Sequence, residues 1–188
     1  MKQYMTFYRE HEELYENVKC LANVGLYWSY ESMTFDEKKA YPGLVGFEQA
    51  LIWNKIPHSI IPSNKIEKIN SFDVIILSEQ TCLSDREVKV FEDFVKSGGG
   101  LVITASTGIY DERLRMREKP ALHHLIGNDN VIYLEDACEN IRPLGNEKKN
   151  RVLYIPHLPE KHQEMVEAVK GVCKSLPLHV SAPRYVAA

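Results

Sequence analysis

Two apolar runs joined by one helix constrain the fold of this chain more than any other feature. The first run covers residues 72–77 and the second covers residues 101–104. Both are continuous rather than alternating, which indicates strands buried on both faces, as in the centre of a parallel sheet. Strands joined through a helix run parallel, so residues 72–106 predict a right-handed strand–helix–strand unit.

The helix of this unit carries its own start and stop signals. Ser84 and Glu87 have the spacing of a capping box, in which each side chain bonds to the other residue's backbone. Gly98, Gly99 and Gly100 follow the last apolar position of the helix. They tolerate positive φ, so we expect them to end the helix and return the chain to the sheet.

Strands and helices alternate along the rest of the chain. We predict further strands at residues 24–28, 58–61, 131–134, 152–155 and 178–180, and further helices at residues 5–19, 44–54, 120–126 and 160–176. This alternation is typical of an α/β fold with a doubly wound, mostly parallel sheet and helices on both faces.

The length of 188 residues fits one domain with a sizeable core. We place this domain at residues 20–183, after an N-terminal helix within residues 1–19 and before a tail at residues 184–188. The N-terminal helix carries four aromatic residues. It can pack on its own domain or, equally, on another domain or subunit.

Charge and composition argue against several classes of protein. The net charge is −3 and the basic residues are scattered, whereas a nucleic-acid binder shows a basic face. No apolar run approaches the length of a membrane span, and the N-terminus lacks the apolar core of a signal peptide, so a cytoplasmic location is expected by default.

No metal or other cofactor is expected. The four cysteines are far apart and form no C-x-x-C pair, which zinc sites favour. Cys20 and Cys173 stand in apolar patterns typical of buried thiols. The neighbouring His123 and His124 would point about 100° apart on a helix, which disfavours one shared ion.

Ligands of open α/β sheets bind beyond the carboxyl ends of the strands. The loops there are residues 28–42, 78–83, 105–119 and 156–160. The residues that we expect to face a ligand or a partner subunit from these loops are Glu79, Gln80, Cys82, Thr107, Tyr110 and Asp111.

Ser106, His157 and Glu160 are weaker catalytic candidates, and Cys82 is a candidate reactive thiol. Ser106 follows a strand, as a nucleophile at a strand–helix elbow does, but an Ala stands where the elbow needs a Gly. In the simpler interpretation, the Ser106 hydroxyl satisfies local backbone groups. His157 and Glu160 can activate a hydroxyl or thiol, yet Glu160 also suits the first turn of a helix. Cys82 precedes a helix, which lowers a thiol pKa, but can equally be a semi-buried thiol.

A series of short segments in collinear order resembles one known family. These are Phe7-Tyr-Arg-Glu-His-Glu-Glu-Leu-Tyr15, Val24-Gly-Leu-Tyr-Trp-Ser29, Phe47-Glu-Gln-Ala-Leu51, Lys55-Ile-Pro57, Asp73-Val-Ile-Ile-Leu77, Cys82-Leu-Ser-Asp85, Phe94-Val-Lys-Ser-Gly-Gly-Gly-Leu-Val102 and Thr107-Gly-Ile-Tyr-Asp-Glu112. Together they resemble the beta-galactosidase trimerisation domain, the middle domain of glycoside hydrolase family 42 and related glycosyl hydrolases. The resemblance covers residues 4–183.

This resemblance implies the fold of class I glutamine amidotransferases, which is flavodoxin-like, without their chemistry. Those enzymes place a nucleophilic Cys after the strand that corresponds to residues 101–104, where this chain has Ala105 and Ser106. They also carry a His-Pro-Glu run, whereas this chain has the longer His157-Leu-Pro-Glu160. The resemblance further implies a (β/α)8 barrel before this domain, which 188 residues do not contain, and a homo-oligomer, by family a trimer.

Three functions therefore stay open at this stage. The first is a non-catalytic oligomerisation domain associated with carbohydrate metabolism, whose partners are copies of itself or a glycoside hydrolase barrel. The second is a stand-alone hydrolase or amidotransferase-like enzyme that uses Ser106 with His157. The third is a sugar-binding module that uses Glu79, Gln80 and Asp111.

Overall fold

The computed structural model describes residues 2–16, 21–104, 106–126, 131–133 and 151–174. Several predicted features lie outside the described residues: the strand at residues 178–180, the tail at residues 184–188, Ala105, Cys20, Cys138 and the proposed helix stop at Gly127.

A six-stranded sheet forms the centre of the molecule. Its strands are β1 (Val24–Trp28), β2 (His58–Pro62), β3 (Val74–Leu77), β4 (Gly100–Thr104), β5 (Val131–Tyr133) and β6 (Arg151–Ile155). Their order across the sheet is β2-β1-β3-β4-β6-β5. Every adjacent pair runs parallel, which confirms the predicted sheet type.

Helices cover both faces of this sheet. They are α1 (Lys2–Glu10), α2 (Tyr30–Phe35), α3 (Glu37–Trp53), α4 (Asp85–Lys96), α5 (His123–Ile126) and α6 (His162–Val172), with 3₁₀ turns at Glu12–Leu14 and Ser63–Ser71. Phe47 of α3 and Val166 of α6 belong to one buried cluster, and Phe91 of α4 and Leu125 of α5 belong to the other. The sheet is therefore doubly wound, as predicted.

The strand–helix–strand unit has the predicted form. All four residues of β3 and all five of β4 are buried. The hydroxyl of Ser84 accepts a hydrogen bond from the backbone of Glu87, whose carboxylate in turn accepts one from the backbone of Ser84. Gly98 has a φ of 92°, in the left-handed region that a glycine tolerates, so the chain turns there from α4 into β4.

The segment at residues 29–42 is helical, which corrects its interpretation as a polar loop. Helix α2 begins after Ser29, whose hydroxyl accepts a hydrogen bond from the backbone of Ser32. Helix α3 follows at once and contains Pro42. Ala40 and Phe47, seven positions apart, are both buried on the helix, so its apolar face runs across the proline. This burial offsets the hydrogen bond that proline cannot donate.

The N-terminal helix is shorter than predicted and begins earlier. α1 ends at Glu10, and His11 has non-helical backbone angles of φ −126° and ψ 24°. The apolar side chains of this segment are exposed, among them Met5, Tyr8 and Leu14. Within the described residues, α1 therefore presents its apolar side chains to solvent rather than to the sheet.

Candidate functional site

The loops after β1, β3 and β4 meet at the carboxyl edge of the sheet. Gln80 is fully buried there. Its Oε1 accepts a hydrogen bond from the backbone of Ser29 at 2.7 Å, and its Nε2 donates to the carbonyl of Ser78 at 2.8 Å. The first bond joins the loop after β1 to the loop after β3, and the second lies within the loop after β3, so both polar ends of the Gln80 amide are engaged by backbone groups of this edge.

Cys82 is also fully buried, in the same network. Its carbonyl accepts hydrogen bonds from the hydroxyls of Ser29 and Ser32, both at 3.0 Å, and its N–H donates to the Ser32 hydroxyl at 2.9 Å. Burial raises the pKa of its thiol, and the carboxylates of Asp36 and Glu31 raise it further. Burial and the nearby carboxylates both disfavour the thiolate, which favours the buried-thiol interpretation of Cys82.

The loop after β4 is tied to the loop after β3. The Thr107 hydroxyl donates to the Leu77 carbonyl at 2.9 Å. The backbone N–H of Gly108 donates to the Gln80 carbonyl, and that of Tyr110 donates to the Thr81 carbonyl, each at 2.9 Å. Thr107 is buried and Tyr110 is half-buried. These bonds give both residues a structural role at this edge.

Asp111 organises the turn that follows. Its carboxylate accepts hydrogen bonds from the backbone N–H groups of Arg113 and Arg115, and from the Arg115 guanidinium at 2.7 Å. The backbone N–H of Arg115 contributes most to lowering the pKa of the Asp111 carboxyl. Its oxygens therefore serve the turn itself.

Ser106 and His157 follow neighbouring strands. Thr104 and Ile155 are partners in the β4–β6 register, and each candidate lies two residues beyond its strand partner. Ser106 is half-buried and His157 is exposed. Within the described residues, no hydrogen bond joins the two side chains. The topology thus brings them to one edge without forming a nucleophile–base pair.

Glu160 lies outside α6, which corrects its predicted place in the first helical turn. α6 begins at His162 after the N-cap residue Lys161, and the acidic residue of its first turn is Glu164. Glu160 is exposed in the loop before the cap. It therefore does not stabilise the helix terminus in the way that its position in the sequence indicated.

Glu79 has an unusual backbone conformation directly after β3. Its φ of 52° is left-handed, which costs a side-chain-bearing residue about 1–2 kcal/mol. Its N–H donates to the Thr104 hydroxyl at 2.7 Å. The side chain is buried, and its carboxylate makes no hydrogen bond or ion pair within the described part of the chain. The strained position after a strand is thus Glu79 and not Ser106.

A second polar centre lies at the opposite, amino-terminal edge of the sheet. The guanidinium of Arg151 is almost fully buried and pairs with the Asp73 carboxylate at 2.7 Å. It also donates to the carbonyls of Val172 at 2.6 Å and Gly98 at 2.7 Å. Burial alone would raise the pKa of Asp73, but the hydrogen bonds from Arg151 and from the Lys174 backbone outweigh burial and lower this pKa.

This centre was not predicted from the sequence, although the chain carries a signal for it. Arg151 opens an otherwise apolar strand, and Asp73 precedes another. A charged residue at the start of a buried strand requires a partner. A cavity of about 710 Å³ opens beside Asp73, lined also by Asn70, Asp93 and Lys174. It lies away from the carboxyl edge where α/β sheets bind their ligands.

The two adjacent histidines do not form a metal site with each other. The rings of His123 and His124 are almost perpendicular, with centroids 5.9 Å apart. His124 is instead 3.1 Å from the carboxylate of Glu92 on α4. Across the described ranges, no three His, Cys, Asp or Glu side chains cluster closely enough to hold a metal ion.

None of the described helices has both the length and the apolar character that crossing a bilayer requires.

Comparisons with solved structures support the fold. The chain is similar to the beta-galactosidase from Bacillus circulans sp. alkalophilus, at 17% identity and a TM-score of 0.54 over 61% of this chain and 18% of that one. It is similar to the beta-galactosidase from the psychrophilic Marinomonas ef1, at 14% identity and a TM-score of 0.53 over 67% of this chain and 20% of that one. At these identities the likeness shows the fold alone.

A third similar structure is the apo exo-carrageenase of glycoside hydrolase family 42 from Bacteroides ovatus. The identity is 13% and the TM-score 0.52, over 79% of this chain and 18% of that one. This chain thus spans about a fifth or less of the length of these three solved chains. No curated protein matches the sequence.

A family model identifies the chain more directly. The model described as the beta-galactosidase trimerisation domain matches residues 24–169, from the start of β1 into α6. That range includes the whole sheet and both of its helical layers. The match spans well over half of the sequence, and this protein therefore belongs to the beta-galactosidase trimerisation domain family.

Proposed function

We propose that this chain is a non-catalytic oligomerisation domain that serves a glycoside hydrolase. Family membership supports this function. The state of the carboxyl edge is consistent with it, because Gln80 and Cys82 are buried and Asp111 is engaged by its own turn. When the polar groups of an edge are hydrogen-bonded within its own loops, few of them are available to a substrate.

The exposed aromatic face of α1 is the observation that carries the proposal. Tyr4, Phe7 and Tyr8 stand at positions i, i+3 and i+4, so they lie on one side of the helix. Tyr4 is 81% exposed and the other two are about half exposed. Contiguous apolar surface of this kind marks a site of protein association. The partner that fits the family is a second copy of this chain, in a trimer.

Local contacts order this face without covering it. The rings of Phe7 and His11 stack with centroids 4.2 Å apart, and Tyr8 tilts against Tyr15 at 5.1 Å. His11 also contacts the Phe7 carbonyl through Nδ1 at 2.9 Å. Side chains that are already arranged lose less conformational freedom when a partner binds. The segment is therefore suited to association.

Light scattering on the 188-residue chain over a range of concentrations tests the proposal. We expect a homo-oligomer with the mass of a trimer, and a shift towards monomer in a Tyr4→Glu, Phe7→Glu double variant. The matched control is Met116→Glu, because Met116 is 78% exposed but lies outside the α1 face. A wild-type chain that stays monomeric at every concentration contradicts the proposal.

The hydrolase that the domain serves is the second part of the proposal. We expect its (β/α)8 barrel to be encoded by the same reading frame or by a neighbouring one. Co-expression of that barrel with this chain should yield a stable complex, measured as co-elution at a defined mass ratio. Separate elution of two folded chains contradicts this part and leaves the oligomerisation of α1 standing.

A further inference from the structure

A groove at the carboxyl ends of β1 and β2 is separate from the closed loops after β3 and β4. It has a volume of about 380 Å³ and is lined by Trp28, Tyr30, Glu31, Pro62, Ser63 and Asn64. Trp28 and Pro62 are partners in the parallel register, so the groove lies between the ends of two neighbouring strands. The carboxyl edge is where open α/β sheets bind ligands, and this volume suits a small one.

Two aromatic rings stand open at this groove. Trp28 is 37% exposed although it ends a buried strand, and Tyr30 is 66% exposed. Neither ring has an aromatic partner in the described part of the chain. The face of an aromatic ring carries negative charge density, so it attracts the C–H groups on the apolar face of a flat, saturated ring.

Polar groups stand beside the two rings. The Asn64 carboxamide is exposed and makes no hydrogen bond within the described residues. From the described part of the chain, Glu31 receives one hydrogen bond, a long one from the Ser29 hydroxyl at 3.4 Å. The Ser63 hydroxyl receives one at 3.5 Å from the backbone of Tyr30. Together these side chains offer donors and acceptors with spare capacity for hydroxyl groups.

The charges of the residues that line the groove indicate which class of ligand it can bind. The described lining holds one carboxylate, Glu31, and no Lys or Arg, so an anionic ligand such as a phosphate finds no counter-charge. A quaternary ammonium would use the rings and Glu31. It would leave the Asn64 amide and the Ser63 hydroxyl without a role. A neutral ring that carries hydroxyls on its edge and C–H groups on its face uses all of them.

We propose that the groove between the ends of β1 and β2 binds the pyranose ring of a neutral glycoside. Tyr30 and Trp28 hold the apolar face of the sugar, and Glu31 and Asn64 hold its hydroxyls. This site uses none of the side chains of the α1 face. It therefore stands or fails independently of the oligomerisation function.

The two tryptophans of the chain allow a direct test by fluorescence. Trp53 lies at the end of α3 and packs against His162, with ring centroids 4.4 Å apart, and does not line the groove. In a Trp53→Phe variant the emission reports on Trp28 alone, and in a Trp28→Phe variant it reports on Trp53 alone. Methyl β-galactopyranoside should change the emission saturably in the first variant and leave it unchanged in the second.

Substitutions in the Trp53→Phe background distinguish binding at the groove from effects of a substitution elsewhere on the protein. Tyr30→Ala should weaken binding about tenfold, the equivalent of roughly 1.4 kcal/mol, because one of two stacking faces is lost. Asn64→Ala should weaken it severalfold. Tyr41→Ala is the matched control, since Tyr41 is a similarly exposed tyrosine outside the groove, and it should leave the affinity unchanged.

Sorbitol and tetramethylammonium complete the set of probes. Sorbitol carries hydroxyls without a ring face and should bind far more weakly than the glycoside. Equal binding of sorbitol, tighter binding of tetramethylammonium or no saturable response of Trp28 overturns the proposal. A Tyr30→Ala variant that keeps its affinity but changes the mass of the oligomer also overturns it, because the groove would then be a protein interface.

Discussion

The guanidinium of Arg151 lies 2.7 Å from the carboxylate of Asp73, 78 residues away along the chain. The same side chain donates to the carbonyls of Gly98 and Val172, so one buried cation joins the starts of β3 and β4 to the end of α6. The N–H groups of Arg151 thus bond to a carboxylate and to backbone carbonyls, and a buried ion pair is tolerated when its hydrogen bonds are satisfied in this way.

Removing this cation should destabilise the fold strongly. Arg151→Met removes the charged partner of the partly buried Asp73 carboxylate and leaves the carbonyls of Gly98 and Val172 without their side-chain donor. We expect a loss of about 3–5 kcal/mol in the free energy of unfolding. Urea denaturation at pH 7 measures it. Lys89→Met removes the exposed pair with Asp93 and should change stability by less than about 1 kcal/mol. Equal effects of the two substitutions would contradict the role of Arg151.

The same pair should make stability depend on pH. The pKa of Asp73 is lower in the folded state, so the unfolded chain takes up the proton first as the pH falls. Its contribution is therefore complete above the unfolded value of about 3.9 and is lost as the pH falls through the folded pKa. The stability difference between wild type and Asp73→Asn should be large at pH 7 and shrink near pH 3.

Urea unfolding at both pH values checks this, with Asp93→Asn as the control. Asp93 pairs with Lys89 and Lys96 on the exposed side of α4. Its replacement should change stability little at either pH, because exposed ion pairs contribute little. A stability difference for Asp73→Asn that stays constant between pH 7 and pH 3 would show that its charge does not stabilise the fold.

The central unit was predictable because its signals are local. Continuous apolar runs mark β3 and β4, and the capping box of Ser84 and Glu87 lies within four consecutive residues. The start of α3 was missed because Pro42 and the charged residues around it mask the apolar face that begins at Ala40. Packing of Ala40 in the folded core stabilises the start of α3, and such packing cannot be read from a short stretch of sequence.

The candidate site was harder to predict because its hydrogen bonds are long-range. The sequence placed Gln80 correctly beyond a strand end, but its amide accepts from Ser29, 51 residues earlier. Cys82 likewise takes its partners from Ser29 and Ser32. No local sequence pattern distinguishes a polar side chain that faces a ligand from one that forms hydrogen bonds between two loops. Of the groove beside Trp28, the half within residues 28–42 lies in a segment that the sequence did select, whereas the half at residues 62–64 does not.

Cys82 should resist thiol reagents in the native protein. Burial removes access and raises the pKa of the thiol, so little reactive thiolate forms at neutral pH. Iodoacetamide labelling followed by peptide mass spectrometry should leave Cys82 unmodified in buffer and modify it fully in urea. Fast labelling of Cys82 in buffer would instead support the interpretation of an activated thiol before α4.

Two glycines of α3 should respond in opposite ways to alanine. A Cβ at Gly43 would lie 2.7 Å from the Ser78 hydroxyl and 3.0 Å from Cβ of Glu79. Both neighbours are buried, and Glu79 is fixed by its left-handed backbone. We therefore expect Gly43→Ala to destabilise the protein by about 1–3 kcal/mol, although alanine favours a helix by about 1 kcal/mol.

Gly46, one helical turn later, is the matched control. A Cβ there would meet the Met165 side chain, with the terminal methyl at 3.0 Å and the sulfur at 3.7 Å, and a methionine side chain can move. Gly46→Ala should thus be neutral or stabilising by up to about 1 kcal/mol, from helix propensity alone. Thermal unfolding of both variants measures the contrast. If Gly43→Ala proved as stable as Gly46→Ala, α3 would not press on the strained turn at Glu79, and that turn would be free to rearrange.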